Sequence, residues 1–160
     1  MKRLALYLAL CAMACIGVGA CAAQDFQPAQ LRGFARTELT VQRSGGSDTF
    51  HIWVAATPDQ QEQGLMWIQQ LPADHGMVFP LRAPRPMDMW MKNTYVPLDM
   101  LFFDASGKIT HIQENAKPLS EDIISSGGVV AGVVEILGGE AARRGIHIGD
   151  HLKYSGLGNR

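Results

Sequence analysis

The chain has 160 residues and nearly balanced charge, with 14 Lys and Arg residues against 15 Asp and Glu residues. No concentrated basic patch stands out, which argues against a nucleic-acid partner. The length fits one domain after an N-terminal segment, and the three cysteines, Cys11, Cys15 and Cys21, all lie near the N-terminus, so no disulfide framework is predicted.

Residues 1–20 have the pattern of a signal peptide. Lys2 and Arg3 precede an apolar stretch over residues 4–18, and small residues lead into Cys21. The apolar run is short for a membrane span, which needs about 20 residues. We therefore expect the protein to be exported.

Residues 18–21, VGAC, resemble the lipobox of bacterial lipoproteins, in which cleavage leaves a lipidated cysteine at the new N-terminus. This resemblance predicts a membrane anchor at Cys21, at the periplasmic face of the cell envelope. Ala22 follows the cysteine, which implies the outer membrane if the source has one. The alternative is simple secretion with cleavage after Ala22. Residues 21–36 have no clean hydrophobic period and are predicted to be a tether, so that a single β-rich domain spans residues 37–160.

The first elements of that domain are two strands and a helix. Residues 38–42 and 49–56 alternate as strands around a Gly-rich turn. Thr57, Pro58 and Gln60 predict a helix N-cap, a proline at the first helical position and a capping box. Gly64 provides the helix stop.

The rest of the chain reads mainly as strands. Two prolines predict a loop over residues 82–86, and residues 115–128 look irregular. A short helix is predicted over residues 138–145. The predicted strands are 76–81, 87–91, 98–103, 108–114, 129–137 and 151–154. This order predicts an α+β, mainly β domain with two short helices, whose sheet is closed or nearly closed into a small barrel.

A polar corner connects two of these predicted strands, 87–91 and 98–103. Trp90 is followed by Lys92, Asn93 and Thr94, and Asp99 opens the next strand. A cation, an amide and a hydroxyl at one turn form either a hydrogen-bonded corner or the rim of a ligand pocket.

Glu135 is the one charged residue in the otherwise apolar strand 129–137. A buried carboxylate is costly unless it is paired or protonated. We therefore predict that Glu135, Asp99 or both hold the corner, and we group them with Trp90, Lys92, Asn93 and Thr94 as candidate ligand-binding residues. A hydrolase or transferase that uses Asp99 and Glu135 as its acid and base is the alternative, although spacing in the sequence cannot show the required separation.

Met87, Met89 and Met91 alternate before the corner and suggest a further alternative. Thioethers favour Cu(I), but methionines on one face of a strand also fill gaps in a core. No histidine lies near them in the sequence, so no metal site is predicted. No cofactor motif is present either, and no cofactor is predicted.

These motifs resemble those of the bacterial and archaeal family named domain of unknown function 192. The resemblance covers about residues 49–154 and includes GLM at 64–66, GMVF at 76–79, WMKNT at 90–94 with the PLD that follows, and GIHIGD at 145–150. Met89 departs from the family's usual aromatic residue before Trp90. The resemblance implies a compact, mainly β barrel behind a signal peptide, and it implies no particular activity. We expect an envelope-anchored binding or accessory module that takes an unidentified small molecule or envelope component.

Overall fold

The structure, a computed structural model, describes residues 26–157. A 3-10 helix at Ala29–Leu31 precedes the regular elements, and the two α-helices are α1 (Pro58–Gln63) and α2 (Glu140–Arg144). The strands in this part of the chain are β1 (Ala35–Arg43), β2 (Gly46–Val54), β3 (His75–Arg85), β4 (Asp88–Met89), β5 (Leu98–Phe103), β6 (Ile109–Ala116), β7 (Ile124–Ser125), β8 (Val130–Leu137) and β9 (His151–Tyr154).

Seven of these strands form one mixed sheet in the order β6-β5-β8-β3-β2-β1-β9. Most neighbours are antiparallel, but β2 and β3 run parallel, because the connection through α1 returns the chain to the same end of the sheet. The short strands β4 and β7 pair separately. The prediction of a mainly β domain with two short helices is confirmed.

The edges of the large sheet approach each other without forming a ladder. Lys108, which directly precedes β6, and His151 of β9 make an isolated antiparallel bridge. Beside it, the Ile109 amide donates to the Asp150 carbonyl over 2.8 Å and the Leu152 amide donates to the Gly107 carbonyl over 2.7 Å. The Gly149 amide also donates to the Ile109 carbonyl over 2.9 Å. Within residues 26–157 the closed form of the predicted barrel is therefore not found, and the two edges meet only over this short stretch.

Each face of the sheet carries its own apolar cluster. One cluster, centred on residues such as Leu101, Val134 and Ile136, draws on all seven strands. The other lies on the opposite face, where Met77, Met100 and Val133 pack under the segments that connect the strands. Because side chains alternate along a strand, successive residues of β5 contribute to different clusters, and so do successive residues of β8.

Helix α1 forms as its sequence predicts. The Gln60 amide donates to Thr57 Oγ1 over 3.2 Å, and the Thr57 amide donates to Gln60 Oε1 over 3.2 Å, which completes a capping box. Gly64 ends the helix with a positive φ of 49°. A Cβ there would lie 3.2 Å from Phe79 Cζ, so glycine lets the end of the helix rest on the sheet.

Three local predictions are corrected. Strand β3 runs on through Pro84 to Arg85, because its register jumps between Pro80 and Arg85 and proline is tolerated at such an irregularity. The strand predicted over residues 87–91 shortens to β4. Its partner β7 lies within the stretch predicted to be irregular.

Part of the predicted tether packs onto the domain. Residues 21–25 lie outside the described range, but Leu31 is fully buried and Phe34 is nearly so, and both belong to the cluster under the connecting segments. Phe26 packs against the same cluster and meets Trp53 with ring centroids 6.0 Å apart. The packed domain therefore begins before residue 37. Among the described residues, no helix is long and apolar enough to cross a bilayer.

Candidate functional site

The corner at residues 90–94 is built by backbone hydrogen bonds. The Met91 amide donates to the Ser120 carbonyl over 2.9 Å, and the Leu119 amide donates to the Thr94 carbonyl over 3.1 Å. Thr94 Oγ1 turns back to the Lys92 carbonyl at 3.2 Å. The predicted clamp by Asp99 or Glu135 is therefore wrong, because the corner is held by its own backbone and by residues 119–120.

Asn93 joins this corner to the segment that follows α1. The Trp67 amide donates to the Asn93 carbonyl over 2.9 Å, and Asn93 Nδ2 lies 3.8 Å from Met66 Sδ. Both Asn93 and Trp67 have a positive φ, of 55° and 67°. Asparagine tolerates this region, whereas it is unusual for a residue as bulky as tryptophan. Such strain tends to occur at functional positions, which directs attention to this pair.

Glu135 lies beneath the corner in the centre of the sheet. Its strand neighbours are Met77 on β3 and Met100 on β5. The residue is only 3% exposed. Burial alone shifts its pKa, so no charged or hydrogen-bonding group among the described residues acts on its carboxyl. Burial raises the pKa of Glu135 from 4.5 to about 8. The carboxyl is therefore mostly protonated at neutral pH, and its hydrogen-bonding capacity is not used by the described protein.

A narrow cavity of about 30 Å³ opens beside Glu135. That volume suits roughly one water-sized group. Trp90, Lys92 and Thr94 line it from the corner. The opposite wall comes from the sheet, the end of α1 and the following residues, namely Gln61, Glu62, Gln63, Gly64, Leu65, Met66, Phe79 and Met89.

Wider surface depressions share lining residues with this cavity. One of about 400 Å³ is lined by Trp67, Trp90, Lys92 and Asn93 together with Asp59, Glu62, Gln63 and Met66. Another depression, of about 310 Å³, is lined by Arg85, Asp88 and Met89 among other residues. Trp90 and Glu62 line both depressions and the cavity. We refer to these connected spaces as the Trp90 groove.

The aromatic residues of the groove are unusually exposed. Trp67 and Trp90 are 47% and 43% exposed, in contrast to the fully buried Trp53. Lys92 Nζ lies 5.5 Å from the Trp90 ring centroid, and Tyr95 packs against Trp67 at 6.0 Å. An exposed indole beside amide and charged side chains is a common surface for binding a ligand.

Asp99 takes no part in the groove. Its Oδ1 accepts the amides of Asn115 at 2.8 Å and Gly139 at 3.0 Å, and its Oδ2 accepts the Ala141 amide at 2.8 Å. Asp99 is paired in register with Ile136, whereas Glu135 is paired with Met100, so the two carboxyl groups point to opposite faces of the sheet. The structure therefore does not bring them together as the acid and base of one active site.

The three methionines before the corner belong to the apolar core. Met91 is fully buried and Met87 is nearly so, and half-buried Met89 packs against the same cluster. Their thioethers fill space beneath the corner, which agrees with the core interpretation. Within residues 26–157, no three His, Cys, Asp or Glu side chains form a group that could hold a metal ion.

The α1 side of the groove was missed in the sequence. Asp59, Glu62, Gln63 and Trp67 lie more than twenty residues before the corner, and no local pattern links the two segments. The GLM motif at residues 64–66 was the sequence feature that could have indicated the α1 side of the groove, because it marks the turn that brings this side against Trp90.

Comparison with known proteins supports the fold and leaves the activity open. The sequence profile of DUF192, described as "Uncharacterized ACR", matches residues 39–154. A crystal structure from Sinorhizobium meliloti, described as a "putative transcription regulator", is similar at 44% identity and a TM-score of 0.76, covering 78% of this chain and 97% of that one. A protein of unknown function from Novosphingobium aromaticivorans is similar at 34% identity and a TM-score of 0.76, covering 83% of this chain and 94% of that one. No curated protein matches the sequence.

Proposed function

This chain belongs to the DUF192 family, and we propose that it is a ligand-binding module of the cell envelope whose site is the Trp90 groove. The observation that carries the proposal is Glu135, which is 3% exposed and lines a small cavity without a hydrogen-bond partner in the described chain. Burying such a group lowers the stability of the fold. A ligand that enters the cavity would supply the missing partner.

The corner residues have distinct roles in this proposal. Trp90 provides an exposed apolar surface, and Lys92 and Asn93 provide polar contacts at the rim. Thr94 is buried with its hydroxyl on the Lys92 carbonyl, so it shapes the wall of the cavity. Asp99, proposed from the sequence as a ligand contact, is assigned instead to the fold.

The placement of the module is part of the proposal. Residues 1–20 and Cys21 lie outside the described range, and their signal-peptide and lipobox patterns support export and lipid anchoring at the periplasmic face of the envelope. The Sinorhizobium protein is described as a "putative transcription regulator", a class of protein that commonly acts on nucleic acid. We propose no such partner here, because the groove carries Asp59 and Glu62 beside Lys92 and would repel phosphates as well as attract them.

A fragment screen tests the site. Small polar fragments are screened by ligand-observed NMR against the wild-type protein, Trp90→Ala and Ile148→Ala. Ile148 is 61% exposed and is absent from the lining of the groove, so it provides a matched apolar control. We expect fragments that bind the wild type and Ile148→Ala but not Trp90→Ala. A screen in which no binding depends on Trp90 would reject the groove as a ligand site.

A further inference from the structure

We infer that the groove binds a saccharide chain, with pyranose rings stacked on Trp90 and Trp67. This inference rests on the proposed function and specifies its ligand class. The observation behind it is that a second concave region, of about 510 Å³, adjoins the groove at Trp67. Trp67 therefore lies between the depressions of about 510 and 400 Å³, and Trp90 lies between that of 400 Å³ and that of about 310 Å³.

The succession of three depressions that share Trp67 and Trp90 favours an extended ligand. The depressions on the two sides of Trp67 measure about 510 and 400 Å³, and each lies within the range of small-molecule sites. A compact ligand would fill one of them and leave the other empty, and in the larger one it would meet Trp67 but not Trp90. A chain of rings would place successive units over Trp67 and Trp90.

The polar side chains match hydroxyl groups better than ions. Amide groups dominate the rim around Trp67, and they come from Gln27, Gln30, Gln63, Gln69, Gln70 and Asn93. Each amide offers a donor and an acceptor, as a hydroxyl does. The rim charges are of mixed sign, with Asp59 and Glu62 near Lys92, so no single ionic ligand is favoured.

The indoles fit the apolar face of a sugar ring. The face of an aromatic ring is electronegative, and the axial C–H groups of a pyranose carry partial positive charge. Trp67 and Trp90 expose 47% and 43% of their surface. The hydrogen bond from the Trp67 amide to Asn93 fixes one indole relative to the corner that carries the other.

Glu135 would then bind one substituent of a ring over Trp90. The adjoining cavity of about 30 Å³ has room for a hydroxyl group but not for a ring. A protonated carboxyl donates one hydrogen bond and accepts another, as a hydroxyl partner requires. Glu135 is buried without such a partner in the described chain.

Indole NMR signals test the ligand class directly, because the chain has three tryptophans and one of them is an internal control. The purified ¹⁵N-labelled protein is titrated with cellotriose or chitotriose up to about 10 mM, which covers weak binding. We expect saturable shifts of the Trp67 and Trp90 indole N–H signals with at least one saccharide, while the signal of buried Trp53 stays in place. Trp67→Ala and Trp90→Ala are each expected to weaken binding by about tenfold or more, and Ile148→Ala to leave it unchanged.

The result that overturns the inference is no saturable shift with either saccharide. Trp90→Phe repeats the measurement with a smaller ring if Trp90→Ala does not fold, and we expect an intermediate affinity. Tetramethylammonium chloride is the second probe. If it shifts the two exposed indoles and the saccharides do not, the ligand is a cation, which rejects the saccharide and keeps the binding site. If fragment binding is also independent of Trp90, the proposed function itself is wrong.

Discussion

Replacing Glu135 with glutamine should make the protein more stable at neutral pH. In the unfolded chain this carboxyl titrates at its ordinary pKa of 4.5, whereas burial raises the native pKa to about 8. The folded state therefore favours the protonated form. Between these two values the unfolded state releases a proton that the folded state retains, so the contribution of Glu135 to stability falls as the pH rises.

The magnitude follows from the two pKa values. Each unit of difference corresponds to about 1.4 kcal/mol, so ionisation of the unfolded state lowers the stability by about 3 kcal/mol at pH 7. The loss is complete above about pH 8, where the native carboxyl ionises as well. Glutamine has nearly the same shape and no charge to lose. We expect Glu135→Gln to remove this pH-dependent loss while still filling the same space.

Urea unfolding from about pH 5 to about pH 8 measures the effect, with the stability of Glu135→Gln minus that of the wild type plotted against pH. The difference should rise by about 1.4 kcal/mol per pH unit and level off near pH 8. Glu114→Gln makes the same chemical change at an exposed position of β6 and should stay within about 0.5 kcal/mol of the wild type. A constant difference for Glu135→Gln would show that the native carboxyl is ionised and would refute the reasoning.

Further predictions concern the fold, the core and the anchor. Asp99→Ala removes the acceptor of three backbone amides, so it should lower the unfolding free energy by about 3 to 5 kcal/mol in urea, and Asp99→Asn should cost less. Cu(I) titration should leave the Trp90 fluorescence and the thermal midpoint unchanged; tight stoichiometric binding that is lost in Met91→Leu would contradict the core role of the methionines. Mass spectrometry of protein from its native host should find a lipid adduct on Cys21, and Cys21→Ala should release a folded domain; an unmodified N-terminus at Ala23 would exclude the anchor.

Local chemistry explains which elements were predictable from sequence. The capping box of Thr57 and Gln60 involves residues three apart, and helix α1 forms where it predicts. The isolated charge of Glu135 in an apolar strand likewise indicated a buried carboxyl. Both signals depend on residues that are neighbours in the chain.

The predictions that failed concern residues whose contacts are distant in the sequence. Asp99 lies on the same face of β5 as Leu101 and Phe103, as alternation along a strand requires, but its donors come from Asn115 and from the start of α2, which no spacing reveals. The α1 side of the groove meets Trp90 only through the crossover between β2 and β3. The sequence could therefore identify the corner but not the surface opposite it.

Asp99 and Glu135 are both buried carboxyl groups, but the fold accounts for only one of them. Both are buried on adjacent strands of the same sheet, and each would be costly if left alone. Three backbone amides stabilise Asp99, so the fold itself accounts for that residue. No described group does the same for Glu135, although its strand neighbours are Met77 and Met100 and an apolar residue of similar size would fill its place at lower cost. The fold thus gains nothing from the charge-bearing group at this position, which is the basis of our proposal that a ligand binds in the cavity beside it.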